Sequence, residues 1–217
     1  MKNFLLEIFF PKICVNCAKP GTYLCSDCLS LIDISENILF SSQYLSAVFA
    51  ACDYNHFIVK NLIHQFKYSP FAKDLNQVLV SLIIIYFQNL TNKPEFFTAP
   101  KEFLLVPIPL SAKRLHWRGF NQTEEIAKSL SEFLKIPLAL NTLIKTKETL
   151  DQTKLPEKQR QENIKNVFAC QNKEIIKNKN IILVDDVYTT GATMEEAAKI
   201  LKQSGAEKIY GVVVARG

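Results

Sequence analysis

Two adjacent carboxylates follow an apolar run near the C-terminal end of the sequence. Residues 181–184 are four β-favouring apolar residues, and Asp185 and Asp186 come directly after them. Apolar runs without polar alternation are typical of strands that are buried on both faces, as in a parallel sheet covered by helices. Such sheets bind ligands at the carboxyl ends of their strands. The pattern therefore predicts a polar ligand site at a sheet edge, with both acids in it.

A turn of small and hydroxyl-bearing residues follows the acids and leads into a predicted helix at residues 194–203. The start of a helix offers unbonded backbone N–H groups and a positive dipole end, which favour a phosphate. The predicted phosphate-binding residues are Thr189, Thr190, Gly191, Ala192 and Thr193. A Walker-type loop is excluded because no Gly-Lys-Ser/Thr follows the glycine. The structural alternative is a buried strand that ends in a solvated acid pair, with Thr193 and Glu196 as a helix capping box.

The acids and the turn together resemble the ribose-phosphate motif of type I phosphoribosyltransferases. In that family the acids bind the ribose hydroxyls of phosphoribosyl pyrophosphate, and the loop amides bind its 5′-phosphate. The resemblance implies that Asp185 and Asp186 are the ribose-binding, catalytic acids and that residues 189–193 bind the 5′-phosphate. It also implies Mg²⁺, which would enter with the pyrophosphate.

Four cysteines near the N-terminus form two Cys-x-x-Cys pairs: Cys14, Cys17, Cys25 and Cys28. Two such pairs bring four thiolates together, which suits tetrahedral Zn²⁺, and a site filled by four protein ligands is structural. Pro20 and Gly21 allow the tight reversal between the pairs. Two disulfides and an iron–sulfur cluster are the alternatives; a reducing cytosol disfavours the first, and ligand spacing and softness favour zinc over the second.

A basic segment after the predicted strand at residues 103–106 is predicted to form a turn. It places three cations beside the only tryptophan of the chain: Lys113, Arg114, Trp117 and Arg118. Cations without neighbouring acids suit a pyrophosphate, which Arg can bind bidentately. Arg and Trp also suit stacking against the bases of single-stranded nucleic acid. The structural alternative is a solvated basic turn that Trp117 anchors to the core.

The rest of the sequence predicts strands alternating with helices, which is typical of a mostly parallel α/β sheet flanked by helices. The 217 residues suffice for one full domain and a small module, and the net charge of +5 fits an anionic partner. Residues 78–87, the longest apolar stretch, are too few to span a membrane and predict a core helix. The first ten residues do not resemble a signal peptide, so a cytoplasmic protein with a docked N-terminus is predicted. Cys52 and Cys170 are predicted to be buried small apolar residues.

Five segments in order carry a resemblance to the ComF family of bacterial competence proteins. They are the four-cysteine cluster, LIHQFKY around Lys67, VPIPLSAKRLHWRGFNQ from residue 106, DQTKLPEKQRQENIKNVF from residue 151 and ILVDDVYTTGAT from residue 182. The resemblance implies a type I phosphoribosyltransferase-like domain at residues 36–217 and an N-terminal zinc module at residues 1–35. It also implies a pyrophosphate loop at residues 106–111 and a flexible loop over the substrate that contains Gln152, Arg160 and Asn163.

Three functions fit these patterns. The first, implied by the ComF resemblance, is a transformation factor that handles incoming single-stranded DNA and has a site for phosphoribosyl pyrophosphate. The second is an active phosphoribosyltransferase in nucleotide salvage, in which the basic segment and Mg²⁺ stabilise the departing pyrophosphate. The third is a ligand sensor that uses the same pocket without turnover.

Overall fold

The computed structural model describes residues 11–39, 41–68, 74–147 and 164–217. The predicted docking of residues 1–10 and the predicted flexible-loop residues Gln152, Arg160 and Asn163 lie outside these ranges. The strands of the described residues are β1 (Ile38–Leu39), β2 (Ala47–Asp53), β3 (Phe103–Pro107), β4 (Leu143–Lys145), β5 (Phe168–Cys170), β6 (Asn180–Tyr188) and β7 (Ile209–Arg216).

A five-stranded sheet with the order β1-β2-β7-β6-β3 forms the centre of the protein. β2, β7, β6 and β3 are parallel to one another, and only the short edge strand β1 runs antiparallel. β4 and β5 pair antiparallel in a separate two-stranded sheet. The sequence prediction of a mostly parallel sheet is confirmed.

Helices cover both faces of this sheet. They are α1 (Ser26–Leu29), α2 (Phe57–Tyr68), α3 (Leu75–Asn89), α4 (Ala112–Arg118), α5 (Gln122–Leu134), α6 (Lys173–Ile176) and α7 (Ala192–Gln203), with 3-10 turns at Glu95–Phe97 and Pro100–Glu102. α2, α3 and α5 pack on one face, and α7 packs on the other with the two-stranded sheet. Residues 78–87 lie within α3, as predicted, and their side chains contribute to the core. In the described ranges, no helix has the length and apolar character needed to cross a membrane.

The central strand β6 extends further than the sequence pattern predicts. Its pairing with β7 continues through both acids to Tyr188 opposite Arg216. Because successive side chains of a strand point to opposite faces of the sheet, Ile182 and Val184 join the core beneath α2, α3 and α5. Ile181 and Leu183 join the core beneath α7. β6 thus continues past the apolar run through both acids, and the pleat places Asp185 and Asp186 on opposite sides of the sheet.

The basic segment is also more regular than predicted, because it forms helix α4 instead of a turn. Ser111 caps its first turn by accepting a hydrogen bond from the backbone N–H of Arg114 at 3.5 Å. Gly119 ends the helix in the left-handed conformation with φ 79°, which glycine adopts without a steric cost. Trp117 is 67% exposed, which contradicts the alternative that it anchors this segment to the core.

The four-cysteine segment packs against the sheet rather than standing apart from it. Cys14, Cys25 and Cys28 belong to the same apolar cluster as Phe49 of β2. Ile34 forms an isolated antiparallel bridge with Cys52 of the same strand. Whether residues 1–35 and 36–217 are separate domains stays a prediction.

Candidate functional site

A cavity of about 570 Å³ lies at the carboxyl ends of β3 and β6. Its walls come from segments that are far apart in sequence: the end of α2, the residues after β3, helices α4 and α5, the two-stranded sheet, and residues 185–194. Both acids and all five predicted phosphate-binding residues line it. This is the position at which open parallel sheets bind ligands.

Residues 189–193 connect β6 to the first turn of α7, as the phosphate-loop prediction requires. Gly191 precedes the helix with φ 77°, and a Cβ atom at this position would overlap the phenol oxygen of Tyr188. The predicted alternative, a capping box between Thr193 and Glu196, does not form, because the residue that caps α7 is Gly191. The Glu196 carboxylate instead accepts a hydrogen bond from the backbone N–H of Asn166 at 2.9 Å. The loop therefore presents the start of α7 to the cavity.

Asp186 is held from two directions and is only 4% exposed. Lys67, at the end of α2, places its Nζ 2.9 Å from Oδ1 of Asp186. Gln122, at the start of α5, donates a hydrogen bond from Nε2 to Oδ2 at 3.1 Å. Arg118 in turn donates to Oε1 of Gln122. Asp186 is therefore buried, and both of its carboxylate oxygens are already bonded within the protein.

Lys67 gains a raised pKa from this environment. Burial is the largest influence and would lower the pKa of the ammonium group, but the negative charges of Asp186 and Asp185 outweigh it. A buried lysine stays charged only when acids compensate the lost hydration. Lys67 is therefore the permanent counter-charge of the acid pair.

Asp185 lines the cavity from the α7 side of the sheet, whereas Asp186 lines it from the side of α2 and α5. Burial, and then the charge of Asp186, raise the pKa of the Asp185 carboxyl group to about 7. Its Oδ1 accepts a hydrogen bond from the backbone N–H of Asp186 at 2.8 Å. A carboxyl group whose pKa lies near neutrality in a cavity marks a candidate functional residue.

Helix α4 forms the rim of the cavity together with the end of α2. Arg114, Trp117 and Arg118 line the cavity, whereas Lys113 is exposed and lies outside the lining. The guanidinium of Arg118 lies 5.5 Å from the ring centre of Tyr68, which is within the range of a cation–π contact. The rings of Tyr68 and Trp117 are 5.9 Å apart. The rim therefore contains Tyr68 together with three of the four residues that the sequence predicts to bind pyrophosphate or DNA.

The four cysteines meet in one cluster that could hold a metal ion. Their sulfur atoms all lie within 4.8 Å of one another, and Cys25 Sγ lies 3.8 Å from Cys14 Sγ and 3.5 Å from Cys17 Sγ. A tetrahedral zinc ion with bonds of about 2.3 Å would space its sulfur ligands about 3.8 Å apart. Gly21 turns the chain between the two pairs with φ 93°, as predicted. The donor set therefore fits structural zinc.

The two remaining cysteines lie away from this cluster. Cys52 is 3% exposed, and burial raises the pKa of its thiol to about 12, so it is not an activated nucleophile. Cys170 is half-buried on β5. The prediction of a buried small residue is confirmed for Cys52, and Cys170 is more accessible than predicted.

Comparison with known proteins agrees with this geometry. The family model for the phosphoribosyl transferase domain matches residues 118–217. Competence protein F of Haemophilus influenzae is 38% identical over 106 residues, which cover 48% of this chain and 46% of that protein. Competence protein ComFC of Bacillus subtilis (strain 168) is 29% identical over 197 residues, which cover 89% of this chain and 72% of that protein. The chain is therefore similar to the ComF competence proteins and, over residues 118–217, to phosphoribosyl transferase domains.

A third relative extends the ComF similarity over most of the chain. DNA utilization protein YhgH of Escherichia coli (strain K12) is 27% identical over 204 residues, which cover 91% of this chain and 81% of that protein. The match to Competence protein F spans less than half of that protein's length. The match to the phosphoribosyl transferase domain model and the observed parallel sheet together establish the type I phosphoribosyltransferase-like fold.

Several cavity residues carry no predicted role from sequence, among them Lys67, Tyr68 and Gln122. Lys67 follows the apolar face of α2, one helical turn after Ile63, which is fully buried. A lysine that continues a buried face signals an acidic partner elsewhere in the chain, because a buried charge needs compensation. The sequence does not identify this partner, because it is Asp186, which lies more than 100 residues further along the chain.

Proposed function

We propose that this chain acts in DNA uptake, binding a ribose phosphate such as phosphoribosyl pyrophosphate in the cavity and single-stranded DNA on the adjoining basic helix α4. The observation that carries the proposal is the shared cavity: the loop before α7, the acid Asp185 and the rim residues Arg114, Trp117 and Arg118 all line it. The relatives named for competence and DNA utilization support the same role.

Different cavity residues suit different parts of a ribose phosphate. The amides and hydroxyls of residues 189–193 suit the 5′-phosphate at the start of α7. Asp185 suits the ribose hydroxyls, because it faces the cavity and would accept their hydrogen bonds. Asp186 positions this region by tying β6 to α2 and α5 through Lys67 and Gln122.

The donor set also fits the Mg²⁺ that the family resemblance implies. Asp185 is the cavity carboxylate with capacity for a hard cation, whereas both oxygens of Asp186 are engaged by Lys67 and Gln122. Bound together with a pyrophosphate, Mg²⁺ would neutralise part of its charge. Arg114 and Arg118 at the rim would add fixed positive charge for the same group.

Asp185→Asn is expected to gain stability and lose ligand affinity. The pKa of Asp185 is raised from 3.8 to about 7 in the folded protein. Between these values the folded state holds more protons than the unfolded state, so stability falls as pH rises from about 4 to 7. The cost is complete above pH 7 and is about 4 kcal/mol at most, which corresponds to about 8–16 °C of Tm for a chain of this size. Asparagine removes this cost, so its Tm advantage over the wild type should grow from pH 5 to pH 8.5.

Calorimetry with phosphoribosyl pyrophosphate supplies the second half of this test. A lost charge-assisted hydrogen bond should weaken binding by about 1.5–3 kcal/mol. If Asp185→Asn and the wild type bind phosphoribosyl pyrophosphate with equal affinity, Asp185 does not contact the ligand. A Tm difference that does not change with pH would mean that Asp185 titrates normally.

Binding of single-stranded DNA on α4 is expected to depend strongly on salt. If Lys113, Arg114 and Arg118 contact phosphates, each contributes a slope of about −0.7 to the plot of log affinity against log salt. The triple alanine variant should therefore flatten the slope by about two units. Trp117→Ala should instead cost about 1–3 kcal/mol of stacking and leave the slope nearly unchanged.

Fluorescence anisotropy with an oligothymidine across a salt series measures both effects. Excess phosphoribosyl pyrophosphate should compete with DNA if both use the rim of the cavity. Wild-type protein that binds no single-stranded DNA at low salt would refute the DNA half of the proposal and leave the ribose-phosphate half standing.

Phosphoribosyl transfer is the second candidate function, and the raised pKa of Asp185 within the cavity favours it. Incubation with phosphoribosyl pyrophosphate, Mg²⁺ and a panel of nucleobases should then release pyrophosphate, and Asp185→Asn should abolish the release. Binding without turnover for every base would favour the sensor alternative or DNA handling alone.

A further inference from the structure

One exposed face of α2 carries aromatic and basic side chains. Phe57, Lys60, His64 and Tyr68 recur at intervals of three and four residues and are all exposed. We call these four residues the α2 stripe. This spacing places them on one side of the helix, opposite the buried face formed by residues such as Leu62 and Phe66.

Two large aromatic side chains of the α2 stripe are strongly exposed to solvent. Phe57 is 56% exposed and Tyr68 is 48% exposed. Large apolar side chains that share one exposed face are unusual in the absence of a binding role. The rings of His64 and Tyr68 lie 4.8 Å apart, so the aromatic surface is continuous over the last turn of the helix.

The charge of this surface favours an anionic partner. α2 contains no acidic residue, and neither does α4. Asp53, the nearest acid before α2 in sequence, accepts a hydrogen bond from the backbone N–H of Asn55 at 2.7 Å. Basic side chains interleaved with aromatic rings on helices without acidic residues match single-stranded nucleic acid, which offers phosphates and unstacked bases together.

The stripe also connects two parts of the molecule. At its C-terminal end, Tyr68 contacts Trp117 and Arg118 of α4 at the cavity rim. At its N-terminal end, the ring of Phe57 stacks with His56 at 5.6 Å. The Nε2 atom of His56 lies 3.0 Å from the carbonyl oxygen of Leu31, directly after the four-cysteine cluster.

We propose that the α2 stripe binds single-stranded DNA and carries the DNA-binding surface from α4 to the four-cysteine cluster. This inference rests on the proposed DNA-binding function and names the path of the strand. From Phe57 to Tyr68 the helix rises about 16 Å. At about 3.4 Å per stacked nucleotide, this length accommodates roughly five nucleotides.

Charge reversal on the stripe tests this path against a matched control. Lys60→Glu places the change on α2, whereas Lys173→Glu makes the same change on α6, which packs on the other face of the sheet through Ile176. Loss of one phosphate contact should weaken binding of a labelled thymidine dodecamer about 5-fold at 0.1 M salt. Lys173→Glu should change the dissociation constant less than 2-fold, as expected for a distant charge. A thymidine trimer, which matches the length of about 10 Å of the seven-residue helix α4, should be less sensitive to Lys60→Glu.

Tyr68 provides a second, charge-independent test. Tyr68→Ala should weaken binding of single strands about 5- to 100-fold through the loss of a base stack. Tyr68→Phe keeps the ring and should bind like the wild type. Duplex DNA, whose bases are already stacked, should not distinguish the two variants.

Two outcomes overturn the inference and differ from each other. In the first outcome, the wild type binds the dodecamer, but Lys60→Glu weakens binding no more than Lys173→Glu does. Tyr68→Ala also binds as tightly as Tyr68→Phe. The DNA strand then does not follow α2. The proposed function then survives with α4 alone. If the wild type binds neither oligonucleotide, the DNA function fails and the stripe fails with it. Circular dichroism spectra identical to wild type confirm that each variant is folded.

Discussion

Cys25→Ser is expected to lower the melting temperature further than any other substitution proposed for this chain. A structural zinc ion contributes about 10–16 kcal/mol in isolated zinc-finger peptides, which matches or exceeds the whole stability of about 5–15 kcal/mol of an ordinary domain. Cys14, Cys25 and Cys28 share a core cluster with Phe49 of the central sheet. Loss of the metal should therefore loosen the packing beneath β2 as well as the cysteine segment, and lower the Tm by about 10 °C or more.

Cys170→Ser is the matched control, because it makes the same chemical change outside the metal cluster on a half-buried residue. It should shift the Tm by only a few degrees. Elemental analysis should find about one zinc per chain in the wild type and much less in Cys25→Ser. Metal-free wild-type protein with full stability, or an iron–sulfur absorption band, would contradict the zinc assignment.

Lys67→Met is expected to be the second most damaging change. It leaves the Asp186 carboxylate, which is 4% exposed, without its cationic partner. Removing one member of a buried ion pair typically costs about 3–5 kcal/mol, because the other charge stays buried without compensation. Replacing both members by apolar residues of similar size is often neutral. The double variant Lys67→Met with Asp186→Leu should therefore regain much of the stability lost by Lys67→Met.

Lys128→Met separates this effect from the general loss of a lysine. Lys128 forms ion pairs with Glu124 and Glu125 along α5, with 41% of its side chain exposed. Exposed helical pairs contribute about 0.3–0.5 kcal/mol, so urea unfolding should barely distinguish Lys128→Met from the wild type. If Lys67→Met unfolds at the same urea concentration as Lys128→Met, the buried pair does not hold β6 to α2. The double variant should also bind phosphoribosyl pyrophosphate more weakly, because Asp186 no longer positions the ribose site.

The sequence by itself determined the elements of this protein and several of its local sites. The unbroken apolar run at residues 181–184 predicts a buried parallel strand, and the structure has one there. The long apolar stretch at residues 78–87 predicts a core helix, and α3 contains it. Cys-x-x-Cys spacing predicts the four-cysteine cluster, because ligands close together in sequence meet through local turns. These features depend on side-chain periodicity and short-range geometry, which a sequence displays directly.

Tertiary structure alone decided what the two acids do. Adjacent acids after an apolar run look equivalent in sequence, but pairing with β7 extends β6 through both of them, and the pleat then points them in opposite directions. Asp186 meets Lys67 and Gln122, which lie 119 and 64 residues away in sequence. Asp185 faces the cavity with a pKa near 7. The contact between Tyr68 and Trp117 likewise depends on how α2 and α4 pack. No local pattern encodes such contacts, because burial and charge compensation depend on which distant elements the fold brings together.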